Sequence, residues 1–210
     1  MRILVLCDDY WHHAPTPRAG FSALAGAEFQ FDFIENAADW SPAKMAEYPL
    51  VALVKSNNVS STDQSPWMSA ETEQAFADYV SQGHGLLAVH SGTAGYQDKP
   101  VLRALLGGVF ARHPEQCPVT VEPSGDHPLA AGSQAFTVKD EHYFMEMADP
   151  QVDVFLTTSS QHGSQPGGWR RSHGQGRVCV LTPGHNDPVW QHPSFQTLLR
   201  NALTWCGTKA

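Results

Sequence analysis

The sequence predicts an α/β protein built on a three-layer, doubly wound, mostly parallel sheet with a β-rich insertion. Two observations support this fold class. The first 90 residues alternate apolar runs with capped amphipathic segments, as in parallel strands joined by crossover helices. After residue 90 the pattern loosens into short strand candidates between turns rich in Pro, Gly and Asp. The sequence has no internal repeat or long linker, so we assign residues 1–210 to a single domain.

Four strands and two helices are predicted in the first part of the chain. Three of the strands, residues 3–7, 50–54 and 85–90, are apolar runs typical of buried parallel strands. The fourth, residues 29–34, alternates Phe with polar residues. One helix should run from about Thr16 to Gly26. In the other, Ser65 would be the N-cap, Pro66 the first helical residue and Gly83 the stop.

Four further strands and one helix are predicted in the rest of the chain. The strand candidates are residues 119–122, 136–139, 152–157 and 177–181. Phe195, Leu198, Leu199 and Ala202 repeat at helical spacing, and Gly207 follows them. We therefore expect a final helix packed on one face of the sheet, with the strands near Val5, Val54 and Val89 parallel and adjacent.

The charge balance favours an uncharged small-molecule partner. Thirteen Lys and Arg against 21 Asp and Glu give a formal net charge of −8. Such a surface argues against nucleic acid or an anionic membrane and suits a sugar. We expect no nucleotide cofactor, and homo-oligomerisation stays open.

The cysteines and the N-terminal segment suggest a cytoplasmic protein. Cys7, Cys117, Cys179 and Cys206 are widely spaced, without a C-x-x-C pair, which predicts reduced and buried thiols. The apolar run that starts at Ile3 has five residues, too few for a signal peptide or a membrane span.

Several reactive side chains follow predicted strands, and the sequence has 11 His. In open parallel sheets the ligand crevice lies beyond the carboxyl ends of the strands. The residues expected at this edge are His12, His13, His90, Ser91, Asp140, Glu141, His142 and His185. We predict that His12, His90, Glu141 and His185 converge on one crevice, with His12 at its rim.

Two kinds of chemistry suit these residues. Neutral imidazoles with one carboxylate are ligands for zinc or a similar divalent ion, which would make His12, His90 and His185 metal ligands. Alternatively, Ser91 lies at a strand-to-helix turn, where His185 could activate it as the nucleophile of a hydrolase. The G-x-S-x-G pattern is not met, because Val89 stands two positions before Ser91.

Four Trp residues near predicted turns are candidate sugar-stacking platforms, although packing in the core is the commoner fate of Trp. They are Trp11, Trp67, Trp169 and Trp190.

Six segments in series resemble the ThuA-like (trehalose utilisation) family over nearly the whole chain. They are Asp8–His12, Gly85–Gly92, Leu106–Phe110 with His113, His127–Leu129, Asp140–Tyr143, and Gly174–Val178 continuing to Thr182–His185. The resemblance implies a fold of the flavodoxin-like, class I glutamine amidotransferase-like type and a role in carbohydrate metabolism. In amidotransferases a cysteine occupies the turn that here holds His90 and Ser91. We therefore do not expect amidotransferase chemistry.

The resemblance also implies a trehalose-related disaccharide, in a 3-keto form, as the substrate. The leading hypothesis is an isomerase, lyase or hydrolase of such a keto-glycoside, with His90, Glu141, His185 and, in the hydrolase version, Ser91 as catalytic residues. Trp11, His12, His113, Tyr143 and Asn186 are assigned to substrate binding. A carbohydrate-binding or sensing module without catalysis is the remaining alternative.

Overall fold

The computed structural model describes residues 1–208, which form a mixed α/β fold. Within this range there are eleven strands: β1 (Arg2–Leu6), β2 (Gln30–Ile34), β3 (Leu50–Leu53), β4 (Gly85–Val89), β5 (Gly108–Arg112), β6 (Cys117–Pro123), β7 (Phe136–Asp140), β8 (Phe144–Met147), β9 (Asp153–Ser160), β10 (Gly163–His173) and β11 (Gly176–Leu181). The α-helices of this range are α1 (Pro15–Ser22), α2 (Pro42–Met45), α3 (Ala70–Ser81), α4 (Pro100–Leu106), α5 (Asp187–Trp190) and α6 (Pro193–Cys206).

Nine of the strands form one sheet in the order β2-β1-β3-β4-β11-β10-β9-β6-β7. The first five strands in this order, β2, β1, β3, β4 and β11, are mutually parallel. From β11 onward, each strand is antiparallel to its neighbour. β1 pairs with β3 through Val5 and Ala52, and β3 pairs with β4, so the predicted parallel adjacency of these strands is confirmed. β5 and β8 form a separate two-stranded ribbon.

The central strands are buried on both faces. Ile3 and Val5 of β1 contribute to one apolar cluster, and Leu4 and Leu6 contribute to another on the opposite face. Helices α1, α5 and α6 pack into the first cluster and α2, α3 and α4 into the second. Leu199 of α6 is fully buried, as predicted for the last helix. All four cysteines are buried with free thiols.

The prediction that Ser65 is the N-cap of helix α3 was wrong. Helix α3 begins after Ser69, whose side chain accepts a hydrogen bond from the backbone N–H of Thr72. The preceding segment is bound elsewhere, because Oδ1 of Asn57 accepts from the backbone N–H groups of Trp67 and Met68. This side-chain anchor competes with helix formation, so the helix starts later than proline placement suggests.

The β-rich segment extends the main sheet. β10 was not predicted, because Pro166 and Gly168 interrupt an otherwise polar sequence. The structure accommodates them at a bulge, where β10 shifts register against β9 between Pro166 and Trp169. Helix α1 is also shorter than expected and ends at Ser22. Among residues 1–208, no helix has the length and apolar character that crossing a membrane requires.

Candidate functional site

Four side chains from four separate loops converge beyond the carboxyl ends of the strands. They are His12 after β1, His90 after β4, Glu141 after β7 and His185 after β11. Oε2 of Glu141 lies 3.1 Å from Nδ1 of His185, 3.4 Å from Nε2 of His90 and 3.8 Å from Nε2 of His12. One ligand atom of each residue lies within 4.8 Å of those of the other three. We call these four residues the His/Glu cluster.

The topology explains why Glu141 reaches this edge. Four antiparallel pairings separate β7 from β11, so both strands run in the same direction and end on the same side of the sheet. Asp140, the last residue of β7, is buried and accepts hydrogen bonds from the backbone N–H groups of Gly184 (2.9 Å) and His185 (3.0 Å). This link attaches the loop after β11 to the end of β7.

His12 is oriented by the buried carboxylate of Asp9. Oδ1 of Asp9 accepts from Nδ1 of His12 (2.9 Å) and from the backbone N–H groups of Trp11 and His12, and Oδ2 accepts from the N–H of Ser56 (2.8 Å). Because Nδ1 is the donor in this bond, Nε2 of His12 faces the cluster. Asp9 therefore joins the ends of β1 and β3 and aims one imidazole.

His90 is fixed by its own backbone and by a carbonyl. Its φ of 47° lies in the left-handed region, which is unfavourable for a residue with a Cβ and recurs at functional sites. Nδ1 of His90 donates to the carbonyl of Thr182 at 2.8 Å, so Nε2 faces Glu141. Tyr143 stacks on the ring at a centroid distance of 4.0 Å. The following turn packs closely on β3, since a Cβ on Gly92 would clash with the carbonyl oxygen of Leu53.

The imidazole nitrogens that face the cluster have no hydrogen-bond partner within residues 1–208. These atoms, Nε2 of His12, Nε2 of His90 and Nδ1 of His185, are all buried. Their short distances to Glu141 therefore lack hydrogen-bond geometry. Buried polar atoms without partners are costly and rare in folded proteins. The arrangement of three nitrogens and one carboxylate oxygen matches the donor set of a tetrahedral zinc site.

Burial and neighbouring charges shift the pKa values of the cluster in opposite directions. Burial would lower the pKa of His12, but the hydrogen bond to Asp9 and the proximity of Glu141 raise it to about 9. Burial would raise the pKa of Asp9, but the bond and charge of His12 together with the N–H groups of Ser56 and Trp11 lower it to about 2. Burial lowers the pKa of His90. Burial opposes ionisation of Glu141 as well, but His12, His185 and His90 together hold its pKa well below its usual range.

A pocket of about 430 Å³ opens directly onto the cluster, within the size range of small-molecule sites. Its walls come from the segments after β1, β3, β4, β7 and β11 and from β5 and the residues after it. The lining residues are Trp11, His12, Ser56, Asn57, Asn58, Ala94, Gly95, Phe110, His113, Glu141, Tyr143 and His185. The strand order β2-β1-β3-β4-β11 reverses between β1 and β3, where ligands bind in sheets of this type.

The chain matches the family described as ThuA, trehalose utilisation, over residues 2–206. It belongs to the ThuA family. This membership indicates a carbohydrate-related role. The comparison with curated proteins gives no significant match.

Several solved structures are similar to this chain in fold. A ThuA-like protein from Bacteroides uniformis ATCC 8492 is 23% identical, with a TM-score of 0.75 over 98% of this chain and 90% of that one. A ThuA-like protein from Parabacteroides merdae ATCC 43184 is 18% identical, with a TM-score of 0.77 over 99% and 89%. A protein from Salmonella typhimurium LT2, described as cytoplasmic, is 16% identical, with a TM-score of 0.69 over 99% and 97%. At these identities the likeness establishes the fold.

In this ThuA-family chain, most of the residues predicted for the site lie in it or beside it. His12 was expected at the rim but lies inside the cluster, with a side chain that is 11% exposed. Nε2 of His113 is 3.5 Å from Oε1 of Glu141, whereas the three cluster nitrogens contact the other oxygen, Oε2. Tyr143 is buried, and its ring lies between His90 and Phe110. Asn186 lies outside the pocket, in a neighbouring groove.

Ser91 lacks the contact that a hydrolase nucleophile needs. Its side chain is buried, and Oγ has no hydrogen-bond partner among residues 1–208. The hydrolase alternative requires an imidazole nitrogen at hydrogen-bond distance from this oxygen. The geometry therefore does not support this role for Ser91.

Burial shows which of the remaining candidates can reach a ligand in the pocket. Trp169 and Trp190 are fully buried in the core and Trp67 is half-buried, whereas Trp11 is 67% exposed at the mouth of the pocket. His142 is buried away from the cluster and contacts Ser160.

The sequence did not indicate the role of Asp9 or of the wall residues Asn57 and Phe110. The available signal for Asp9 was an acidic residue two positions after the predicted strand 3–7 and three positions before a His.

Proposed function

We propose that this ThuA-family protein is a metal-dependent cytoplasmic enzyme that acts on a keto-glycoside of trehalose or a related disaccharide. The reaction would be isomerisation, elimination or glycosidic cleavage that begins with removal of a proton next to the sugar carbonyl. The observation that carries the proposal is the set of three buried imidazole nitrogens, on His12, His90 and His185, that have no hydrogen-bond partner in residues 1–208 and face one oxygen of Glu141.

The residues present suit a divalent ion such as zinc. Three imidazole nitrogens and a carboxylate oxygen form a donor set that zinc sites in proteins use. Two of the three imidazoles already have the outer partners that metal-binding His residues use, Asp9 for His12 and the Thr182 carbonyl for His90. When bound, such an ion supplies Lewis acidity that polarises a carbonyl oxygen of the sugar.

The pocket supports a sugar as the ligand. Trp11 offers an exposed indole face at its mouth, and backbone hydrogen bonding to Asp9 holds that loop in position. Aromatic faces pack against the apolar faces of sugar rings, while Asn57 and Asn58 provide polar groups in the same lining. These features suit a neutral, hydroxyl-rich ligand.

His113 suits the transfer of the proton. Nδ1 of His113 donates to the carbonyl of Pro114 at 2.7 Å, so a neutral ring has its free electron pair on Nε2. This atom lies at the pocket wall, outside the His/Glu cluster and 3.5 Å from Oε1 of Glu141. In the version of the reaction without a metal, the neutral His90 accepts the proton and Glu141 orients His185.

The test is turnover of oxidised disaccharides. Purified protein is incubated with trehalose and with 3-keto-trehalose, each with zinc and with a chelator, and products are followed by NMR and mass spectrometry. We expect conversion of the keto sugar alone, its loss with chelator, and its loss in His90→Ala. His162→Ala, an exposed His outside the pocket, is the matched control. Conversion that survives the chelator would favour the version without a metal, and no conversion in any arm would overturn the proposal.

A further inference from the structure

We propose a second sugar subsite on the opposite side of His185 from the pocket, so that the protein binds two linked rings with their linkage beside the His/Glu cluster. This inference rests on the proposed function, and it assigns the second ring of the proposed disaccharide to a site of its own. The subsite is a groove of about 530 Å³ whose walls include Thr16, Gln116, Lys139, Asn186 and Asp187.

His185 is the element that joins the two cavities. It lines the main pocket together with Glu141 and Trp11, and it also lines the groove. Its backbone is tied to Asp140, and its side chain is only 21% exposed, so it forms a fixed partition. A ligand that occupies both cavities must pass His185, which brings the bond between its two parts next to the cluster.

The groove is built for hydroxyl groups. The two N–H bonds of the Asn186 amide are used, because Nδ2 donates to Oε1 of Gln116 and to the carbonyl of Lys139, each at 3.0 Å. The carbonyl oxygen of the amide is then the group left to accept from a ligand. Lys139 is exposed and supplies donors, and Asp187 supplies acceptors. One cation and one anion in the lining suit a neutral ligand that both donates and accepts.

The two cavities differ in a way that predicts unequal roles. The main pocket has the aromatic rings of Trp11, Phe110 and Tyr143, whereas the described lining of the groove contains no Trp, Tyr or Phe. A ring in the pocket can stack, and a ring in the groove can only form hydrogen bonds. The pocket should therefore supply most of the affinity, and the groove should supply the preference for a second ring.

The experiment compares one-ring and two-ring probes by calorimetry on the zinc-loaded full chain. The probes are trehalose and methyl α-glucopyranoside, each also as its 3-keto form. We expect the two-ring probe to bind about tenfold more tightly than the one-ring probe of the same oxidation state. The double variant Gln116→Ala with Lys139→Ala removes groove contacts. It should bring the disaccharide to within about twofold of the one-ring probe and leave the one-ring affinity unchanged.

The control is Lys44→Ala on α2, which lines neither cavity and should change no affinity. Circular dichroism and thermal melting verify that each variant is folded. Equal binding of one-ring and two-ring probes to the wild type would overturn the subsite while leaving the proposed function intact. So would equal weakening of both probes by the double variant. If none of the four sugars binds the wild type, the proposed function fails, and the subsite fails with it.

Discussion

Nδ1 of His185 lies 3.1 Å from Oε2 of Glu141 because Asp140, the residue before Glu141, binds the backbone of the His185 loop. One two-residue segment therefore does two things: Asp140 fixes the loop, and Glu141 supplies the carboxylate that faces the imidazole. Three strands lie between β7 and β11 in the sheet, but this link holds the ends of the two strands together, so Glu141 and His185 stay in contact.

The His/Glu cluster predicts tight binding of one zinc ion per chain. Replacing His12, His90 or His185 by Ala should lower zinc affinity by at least about 100-fold, more than is typical for loss of an outer partner. Zinc at about 100 times its dissociation constant should stabilise the wild type by about 2.7 kcal/mol. Competition with a chromophoric chelator and thermal melting measure the two quantities. His162→Ala should behave as the wild type, and unchanged zinc affinity in all three cluster variants would rule out the site.

Asp9 should act on the metal site through His12. Asp9→Asn keeps the size of the side chain but removes the charge that orients the imidazole, so zinc affinity should fall by about 10–100-fold. The same measurement on Asp39→Asn, an exposed carboxylate near the end of a short 3₁₀ turn, provides the matched control. If Asp9→Asn alters melting temperature but leaves zinc affinity at the wild-type value, Asp9 has only a structural role.

The sequence was sufficient to predict the cluster because each of its residues lies in the segment that follows a strand, His90 and Glu141 directly and His12 and His185 a few residues later. Apolar runs such as Leu86 to Val89 mark where a strand ends, and the next side chain then lies at the ligand edge. The same logic could not yield Asp9 as a buried anchor, since a carboxylate after a strand is more often solvated. Its role depends on the N–H of Ser56, which the sheet brings to it from another loop.

The fold was less predictable where long-range contacts decide local structure. The start of α3 depends on Asn57 binding Trp67 and Met68, an interaction that no local propensity encodes. β10 is stabilised by ladders to both neighbours, which outweigh its Pro and Gly content. The parallel half of the sheet is predictable from the sequence, because hydrophobic runs alone specify strands buried on both faces.

The pH dependence of stability should change sign when zinc is added. In the metal-free protein the pKa of His12 is raised to about 9, so its contribution is complete below pH 6.5 and is lost as the pH rises through 9. The free energy of unfolding should fall over this range by at most about 1.4 kcal/mol per pH unit. With zinc the ligands must be deprotonated, so stability should instead rise with pH.

Urea denaturation between pH 6.5 and 9, with chelator or with zinc, measures both slopes. In His12→Ala the metal-free slope should flatten. Parallel slopes with and without zinc would contradict the coupling of metal binding to His12. Asp9 does not contribute in this window, because its pKa is lowered to about 2 and its contribution is lost only in acid.

Ser91→Ala should be tolerated. The hydroxyl is buried without a hydrogen-bond partner among residues 1–208, so its removal should leave stability unchanged or raise it by up to about 1 kcal/mol. Turnover should stay within about twofold of the wild type, because the serine takes no part in the proposed reaction. Thr93→Val is the matched comparison, since Oγ1 of Thr93 donates to the carbonyl of His90 and its loss should cost about 1 kcal/mol. Abolished turnover in a folded Ser91→Ala protein would restore the hydrolase alternative.

Trp11 should govern substrate affinity with little effect on the chemical step. Its ring is 67% exposed at the mouth of the pocket, while the backbone of its loop is held by Asp9, so the indole is positioned without being packed in the core. Loss of one aromatic stacking contact costs about 1 kcal/mol, which corresponds to a roughly fivefold rise in KM for Trp11→Ala with kcat nearly unchanged. Trp11→Phe keeps an aromatic face and should recover most of the affinity. Steady-state kinetics on the keto-disaccharide, with unfolding measured alongside, separates the two parameters. A fall in kcat with an unchanged KM would mean that Trp11 acts on the reacting atoms and is not a stacking platform.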